Sequence, residues 1–175
     1  MTSPRAPALP SATKQQGTSQ YVGFELAGQK YLCRIERIQE IVIPERVTTI
    51  PEVPAYVAGV SNLRGTIIPV IDLRLLFGLP AKAADADTRT IVVNVGTRVM
   101  GCTVDTVAQV IRIPDERIQP APETVAAGAP RYVEGFARLD DELFILLDTD
   151  QLLAPDNLDE VHRASRPASS PAGDA

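Results

Sequence analysis

Apolar residues along this chain recur in two rhythms. Phe24-Glu25-Leu26 and Ile91-Val92-Val93-Asn94-Val95 are compact apolar runs, and each is followed by a short glycine-bearing turn, Ala27-Gly28-Gln29 or Gly96-Thr97-Arg98. Strand, tight turn and returning chain predict a hairpin at each place. The two returning segments, Tyr31 to Ile43 and Val99 to Ile113, place Ile35, Ile38, Ile41 and Ile43, then Val104, Val107, Val110 and Ile113, mostly three residues apart. A spacing of three suits a helix. The density of β-branched residues, and the closing Pro44 and Pro114, predict instead extended chain with a short helical turn inside it.

Further along, Pro54 and Pro130 are each expected in the first turn of a brief helix, where a missing amide donor is harmless. Strands are predicted at Thr66 to Ile71 and at Leu143 to Leu147. Asp72 and Asp148 follow as N-caps of short helices, which Gly78 with Pro80, and Pro155, bring to an end. Met1 to about Thr18, and about 156 to 175, are rich in Ser, Pro and Ala and are read as largely disordered tails.

The two halves of this pattern are copies. Pro54-Ala55-Tyr56-Val57-Ala58-Gly59 matches Pro130-Arg131-Tyr132-Val133-Glu134-Gly135 at a shift of 76, and the same shift pairs Leu63 with Leu139, Ile67 with Leu143, Ile71 with Leu147 and Asp72 with Asp148, recurrent positions expected to build strand, core and helix cap. Upstream the shift is 69, pairing Cys33 with Cys102, Ile38 with Val107 and Ile41 with Val110. The expected organisation is one folded region over 19–155, built of halves at about 19–80 and 88–155. Short strands and glycine turns in two copies predict a mainly β chain forming paired small barrels, which remove exposed strand edges. Whether each half folds alone or exchanges strands with the other is not decided by the pattern.

Composition narrows the function. With 45% hydrophobic residues among 175 the chain can bury a core, and a net charge of −5 without clustered cations opposes a nucleic-acid surface. No apolar run nears the roughly 20 residues of a membrane span, and a signal peptide is not visible. The one histidine, His162, falls in a tail, and no phosphate loop, nucleophile elbow or metal-ligand spacing is present, so neither catalysis nor a cofactor or metal is expected. Cys33 and Cys102 sit at equivalent positions among apolar neighbours and read as buried free thiols. Asp140-Asp141-Glu142 reads as a solvated hairpin turn, Gly59 and Gly135 as backbone positions needing freedom in φ, and Tyr56 and Tyr132 as core or boundary aromatics.

Arg64 stands apart from that frame. Its counterpart in the second copy is Asp140, so the shared architecture does not require an arginine there. It is either a solvated turn cation or an anchor for a partner, a role its planar donor fork suits. Glu40, opposite Gln109, poses the same choice between a solvated face and a contact.

Ile38-Gln39-Glu40-Ile41, the Pro54 to Gly59 segment, Asn62-Leu63-Arg64-Gly65-Thr66-Ile67-Ile68-Pro69-Val70-Ile71-Asp72-Leu73-Arg74 and Gln119-Pro120-Ala121-Pro122-Glu123 occur in one order between about Gln20 and Pro155. Together they resemble the CheW family of bacterial chemotaxis coupling proteins. The resemblance implies two SH3-like five-stranded barrels joined by an apolar interface, and a non-enzymatic cytoplasmic adaptor linking chemoreceptor tips to the histidine kinase CheA, recruited to membrane-associated arrays without inserting in the membrane. It implies a receptor-binding set of Ile38, Glu40, Gly59, Asn62, Arg64 and Gly65. It also implies a kinase-facing set placed loosely around Ile41, Val42, Val47 and Ile50. Leu32 and Arg34 depart from the family, which often carries glycine and an acidic residue at those positions.

The mechanism so implied is docking of a helical receptor tip in a groove, with a second face for the kinase. An adaptor of a non-flagellar chemosensory pathway, serving twitching motility or development, is the runner-up. A standalone kinase-regulatory fragment comes third and an enzyme last.

Overall fold

The computed structural model describes residues 17–122, 132–154 and 158. The expectations for Pro130 and Pro155, and for most of both tails, lie outside these residues. The chain opens with β1 (Thr18–Leu26) and β2 (Gln29–Arg34), joined through Ala27 and Gly28 at φ of 50° and 85°. Two successive positive φ values give the turn whose twist matches that of the strands it joins. A 3-10 turn over Ile35–Arg37 leads to β3 (Ile38–Val42), then β4 (Val57–Leu63), β5 (Thr66–Asp72) and the short helix α1 (Leu73–Leu76). The second copy runs β6 (Arg89–Val95), β7 (Arg98–Val104), β8 (Thr106–Pro114), a 3-10 turn at Asp115–Arg117, β9 (Ile118–Gln119), β10 (Val133–Leu139), β11 (Glu142–Leu147) and α2 (Thr149–Leu153).

The helix ends are built as the sequence predicts. Asp72 Oδ1 accepts from the amides of Arg74 and Leu75 at 2.9 and 3.3 Å, and Asp148 Oδ1 from that of Gln151 at 3.2 Å. Past α1, Gly78 at φ 76° lets the amides of Gly78 and Leu79 return to the carbonyls of Leu75 and Arg74, a Schellman ending.

Three expectations change. Pro54 opens a turn, closed by the Val57 amide on its carbonyl at 2.9 Å, and not a helix. The helical turn expected inside the second returning segment lies beyond it, at Asp115–Arg117, and β7 passes to β8 through a bend at Asp105. Ile67 and Leu143, paired as core by the repeat, are 61% and 55% exposed. Ile68 follows Ile67 on a strand, so one of the two must face away from the barrel interior, and Ile68 is the buried one.

Within the strands the spacing of three has the same cause in both copies. Ile38 and Ile41 of β3 lie opposite Val93 and Ile91 of β6, so three residues face two and one extra residue is bulged out. Val107 and Val110 of β8 lie opposite Phe24 and Val22 of β1 with the same excess. A bulge re-phases the alternation. It lets Ile38 and Ile41, or Val107 and Val110, follow one face of a strand at a spacing that imitates a helix.

The sequence halves are not the structural barrels. One sheet has the order β8-β1-β2-β11-β10-β9, the other β3-β6-β7-β5-β4. Each half therefore hands its first hairpin to the other: β1–β2 joins the six-stranded barrel of the second half, and β6–β7 the five-stranded barrel of the first. The junctions repeat, with β2 parallel to β11 and β7 parallel to β5. Thr48 closes the five-stranded barrel by exchanging two backbone bonds with Val60, at 2.8 and 2.9 Å, and β9 plays the same part against β10.

Three apolar cores result. Tyr21, Leu32, Ile113, Ala137, Phe144 and Leu146 fill the six-stranded barrel. Ile68, Val70 and Val92 line the five-stranded one. The largest core lies between barrels, where Val22, Phe24, Leu26 and Cys33 of the first hairpin cluster with Ile91, Val93, Val95 and Cys102 of the second, plugged by Leu73 and Leu76 of α1 and Leu152 and Leu153 of α2. Phe77, just past α1, stacks between Tyr31 and Tyr132 with ring centroids 5.9 and 5.5 Å away. Burial pushes the Cys33 thiol up to about 12 and that of Cys102 higher still, as suits inert packing groups.

A chain cut after Gly78 retains β3 to β5 but lacks β6–β7, the hairpin that completes their barrel. It is expected to give a poorly dispersed amide spectrum or a strand-exchanged dimer by sedimentation. A dispersed spectrum from a monomer of that length would contradict the exchange.

Candidate functional site

The turn between β4 and β5 carries the chemistry that the duplication does not explain. Arg64 and Gly65 occupy its two central positions at φ of 50° and 89°, and the Gly65 amide donates to Asn62 Oδ1 at 2.7 Å. Asp140 and Asp141 adopt the same backbone between β10 and β11, at 49° and 69°. Both copies thus build one left-handed two-residue turn, basic on one barrel and acidic on the other.

Arg64 is not a free cation. Its Nη1 and Nη2 donate to Glu40 Oε2 and Oε1, both at 2.5 Å, a bidentate fork reaching from the hairpin tip to β3. The Arg64 side chain is 68% exposed and that of Glu40 21%, so the strand seats the carboxylate and the guanidinium presents the outer surface. Hydrogen bonding from Arg64 is the main influence holding the Glu40 carboxyl below the ordinary glutamate range. A screened pair of this kind adds little stability. What it fixes is the direction of an arginine fork at a rigid tip.

Of the residues predicted for the receptor set, the structure places Glu40, Asn62, Arg64 and Gly65 at this tip. Ile38 is half-buried against the core between barrels. Gly59 is buried: a Cβ there would overlap the Thr48 carbonyl oxygen and lie 2.8 Å from its carbon, at φ 144°. At Gly135 the equivalent Cβ would lie 2.6 Å from the Gln119 carbonyl oxygen, at a backbone angle any residue adopts. Close backbone approach at the barrel seam, and not freedom in φ, is the requirement the two glycines share.

The kinase-facing set lies along β3 and the following loop. Ile41 and Ile50 are 37% and 38% exposed, while Val42 and Val47 turn inward. Val42 and Val47 line a crevice of about 20 Å³ at the barrel end together with Glu45, Asn62 and Leu63, so residues from both predicted sets meet there. Two exposed apolar residues were missed, Ile43 at 68% and Ile67 at 61%. The signal for Ile67 was the pair Ile67-Ile68 beside a turn. For Ile43 it was the neighbouring Pro44, which stops the strand before its last apolar residue finds cover.

Comparison with known proteins gives this surface a lineage. The CheW-like domain profile matches residues 20–156. The chain belongs to the CheW-like family. It is 36% identical over 147 residues to the chemotaxis protein CheW of Klebsiella aerogenes, covering 84% of this chain and 89% of that protein. To CheW of Helicobacter pylori it is 38% identical over 137 residues, 78% and 82% of the two chains. Protein FrzA of Myxococcus xanthus is 27% identical over 117 residues, 67% of this chain and 73% of FrzA. The scaffolding protein TtCheW from Thermoanaerobacter tengcongensis has a crystal structure that superposes with a TM-score of 0.67 at 36% identity, covering 74% of this chain and 88% of that one. The paired SH3-like barrels and the chemotaxis scaffold role of the CheW family are therefore those of this chain.

The two departures from the CheW pattern are accounted for internally. Leu32 is fully buried inside the six-stranded barrel. Arg34 lies over the Tyr21 ring, 5.6 Å from its centroid, and pairs with Glu134 at 2.6 Å, the residue bulged out of β10. Among the described residues no group of three or more His, Cys, Asp or Glu is arranged to hold a metal, and no helix is long and apolar enough to cross a membrane.

Gly59→Ala is expected to cost more than about 2 kcal/mol, because the seam must open. Gly65→Ala, with open space around its Cβ, is expected to cost only about 1 kcal/mol for the left-handed backbone. Denaturant titrations of the two variants check the order. The Glu40 titration, followed by side-chain carboxyl NMR, is expected below the ordinary glutamate value and to rise toward it in Arg64→Ala. Since its folded value lies below the unfolded one, the pair contributes fully above the ordinary glutamate value and is lost as pH falls through the folded one. An unchanged midpoint in Arg64→Ala would contradict the fork.

Proposed function

We propose that this protein is a cytoplasmic adaptor that joins the helical tip of a methyl-accepting chemoreceptor to the regulatory domain of the kinase CheA. The carrying observation is the Arg64 turn. A duplicated frame holds a cation at one tip only, aims it through Glu40, and sets the exposed Ile67 beside it, opposite Asn62.

Arginine beside an exposed aliphatic residue suits a helical hairpin, whose apolar stripe docks on Ile67 while a polar flank meets the fork. Glu40, Asn62, Arg64 and Gly65 would form the receptor contact, with Ile38 at its border and Gly59 holding the seam behind it. Ile41, Val42, Val47 and Ile50, joined by Ile43, would face the kinase domain, leaving Ile67 as the apolar residue of the receptor contact. Coupling needs only that the adaptor bind two kinase states unequally, by about 1–3 kcal/mol. Interfaces of about 800 Å² per partner or less, repeated across an array, suffice when multivalency multiplies them. The likeness to FrzA is the one observation that favours a pathway other than flagellar chemotaxis, and the receptor and kinase genes beside this one would separate the two.

Arg64→Glu is expected to weaken receptor-tip binding at least roughly tenfold by calorimetry, with an almost unchanged melting temperature, because the pair it breaks is exposed. CheA regulatory-domain binding should survive. Unchanged receptor affinity in the folded variant would overturn the assignment.

A further inference from the structure

Among the described residues the chain passes between barrels at two points, from β2 to β3 through Ile35–Arg37 and from β7 to β8 through Asp105. Each crossing is tied to one of the short helices by an ion pair. At the first, Arg37 Nη2 lies 3.0 Å from Asp150 Oδ2 on α2. At the second, Asp105 Oδ2 lies 3.5 Å from Arg74 Nη1 on α1. Arg74 and Asp150 are equivalent at the shift of 76, so the two ties have opposite polarity.

They also differ in burial. The side chains of Arg37 and Asp150 are 47% and 41% exposed, whereas those of Arg74 and Asp105 are 15% and 18%. Solvated ion pairs exchange readily with water, while a sequestered one is hard to break without stranding a charge.

Asp105 holds more than the arginine. Oδ2 also accepts from the Ala27 amide at 2.8 Å, and the Asp105 amide donates to the Glu25 carbonyl at 3.1 Å. One residue thus grips the β1–β2 turn, which belongs to the six-stranded barrel, and the helix of the five-stranded one. Arg74 is anchored on its far side by Nε donating to the Pro80 carbonyl at 3.3 Å. Its Nη1 is buried without an aligned hydrogen-bond acceptor and has the Asp105 carboxylate, at 3.5 Å, as its ion-pair partner.

We infer that Asp105 is a latch that sets the angle between the two barrels, and that the solvated crossing at Arg37 follows it. The inference stands apart from the receptor and kinase assignments, since it concerns how the barrels are held to each other whatever binds them. A partner that moved one barrel against the other would work against this latch first.

Double electron–electron resonance between spin labels at Thr66→Cys on β5 and Gln109→Cys on β8 reads the relative placement of the barrels. Both positions are exposed, and the native Cys33 and Cys102 are buried away from the label. The parent is expected to give one narrow distance distribution. Asp105→Asn, which keeps an acceptor for Ala27 but removes the charge, should broaden or split it, and Asp150→Asn should leave it narrow. If Asp105→Asn does not fold, Arg74→Gln, which leaves the Ala27 bond in place, is read in its stead and should broaden it likewise. A distribution of parental width in the folded charge-removed variant, or equal broadening from Asp150→Asn, overturns the latch.

Discussion

Two hairpins that are apolar on both faces constrain the whole fold. β1–β2 and β6–β7 each turn one face into a barrel and still have Val22, Phe24 and Cys33, or Ile91, Val93 and Cys102, to hide on the other. A lone barrel would leave that second face in water, at about 25 cal/mol for each Å² exposed. Packing the faces together satisfies both, and once they are packed each hairpin can complete the other half's barrel. The two short helices then stopper the ends of this middle core with paired leucines, and Phe77 ties α1 to the aromatics of the opposite barrel. The stability of each barrel is thereby bound up with the other.

Much of this was legible because the duplication marked it. Equivalent residues that keep their chemistry, such as Asp72 with Asp148 and Cys33 with Cys102, fall into equivalent structural roles as caps and buried thiols. What was hidden were effects of register and partner choice. Ile38 and Ile41 look helical in one dimension, because a bulged residue in the middle of a strand cannot be told from a helical step without its partner strand. Strand exchange was hidden for a related reason. Hydrogen bonding between strands carries no letter code, and each hairpin fits either barrel since the barrels are copies.

The site was legible where the copies differ and obscure where they agree. Arg64 against Asp140 is a difference on an otherwise repeated turn, and it pointed to the tip that the fork with Glu40 defines. Ile67 and Leu143 agree, so the repeat read them as frame, yet both are surface residues. Agreement between copies therefore marks shared geometry, which includes outward-facing positions as readily as inward ones. Gly59 shows a requirement that the comparison of copies does not reveal. Its glycine identity is dictated by the Thr48 carbonyl pressed against it, as that of Gly135 is by Gln119.

An adaptor gains from this arrangement because its partners read surfaces fixed by backbone. The Arg64 tip is a two-residue turn locked by left-handed dihedrals and the Asn62 bond, and its guanidinium is already aimed before any partner arrives. In the docking proposed above, little side-chain entropy would be left to lose, so a small interface could be specific without being tight. The same stiffness carries to the rest of the molecule. The tip belongs to β4 and β5, β5 runs alongside β7, and the chain leaves β7 for the other barrel at the partly buried Asp105. The arginine tip is thus joined to the second barrel through paired strands and one largely covered ion pair.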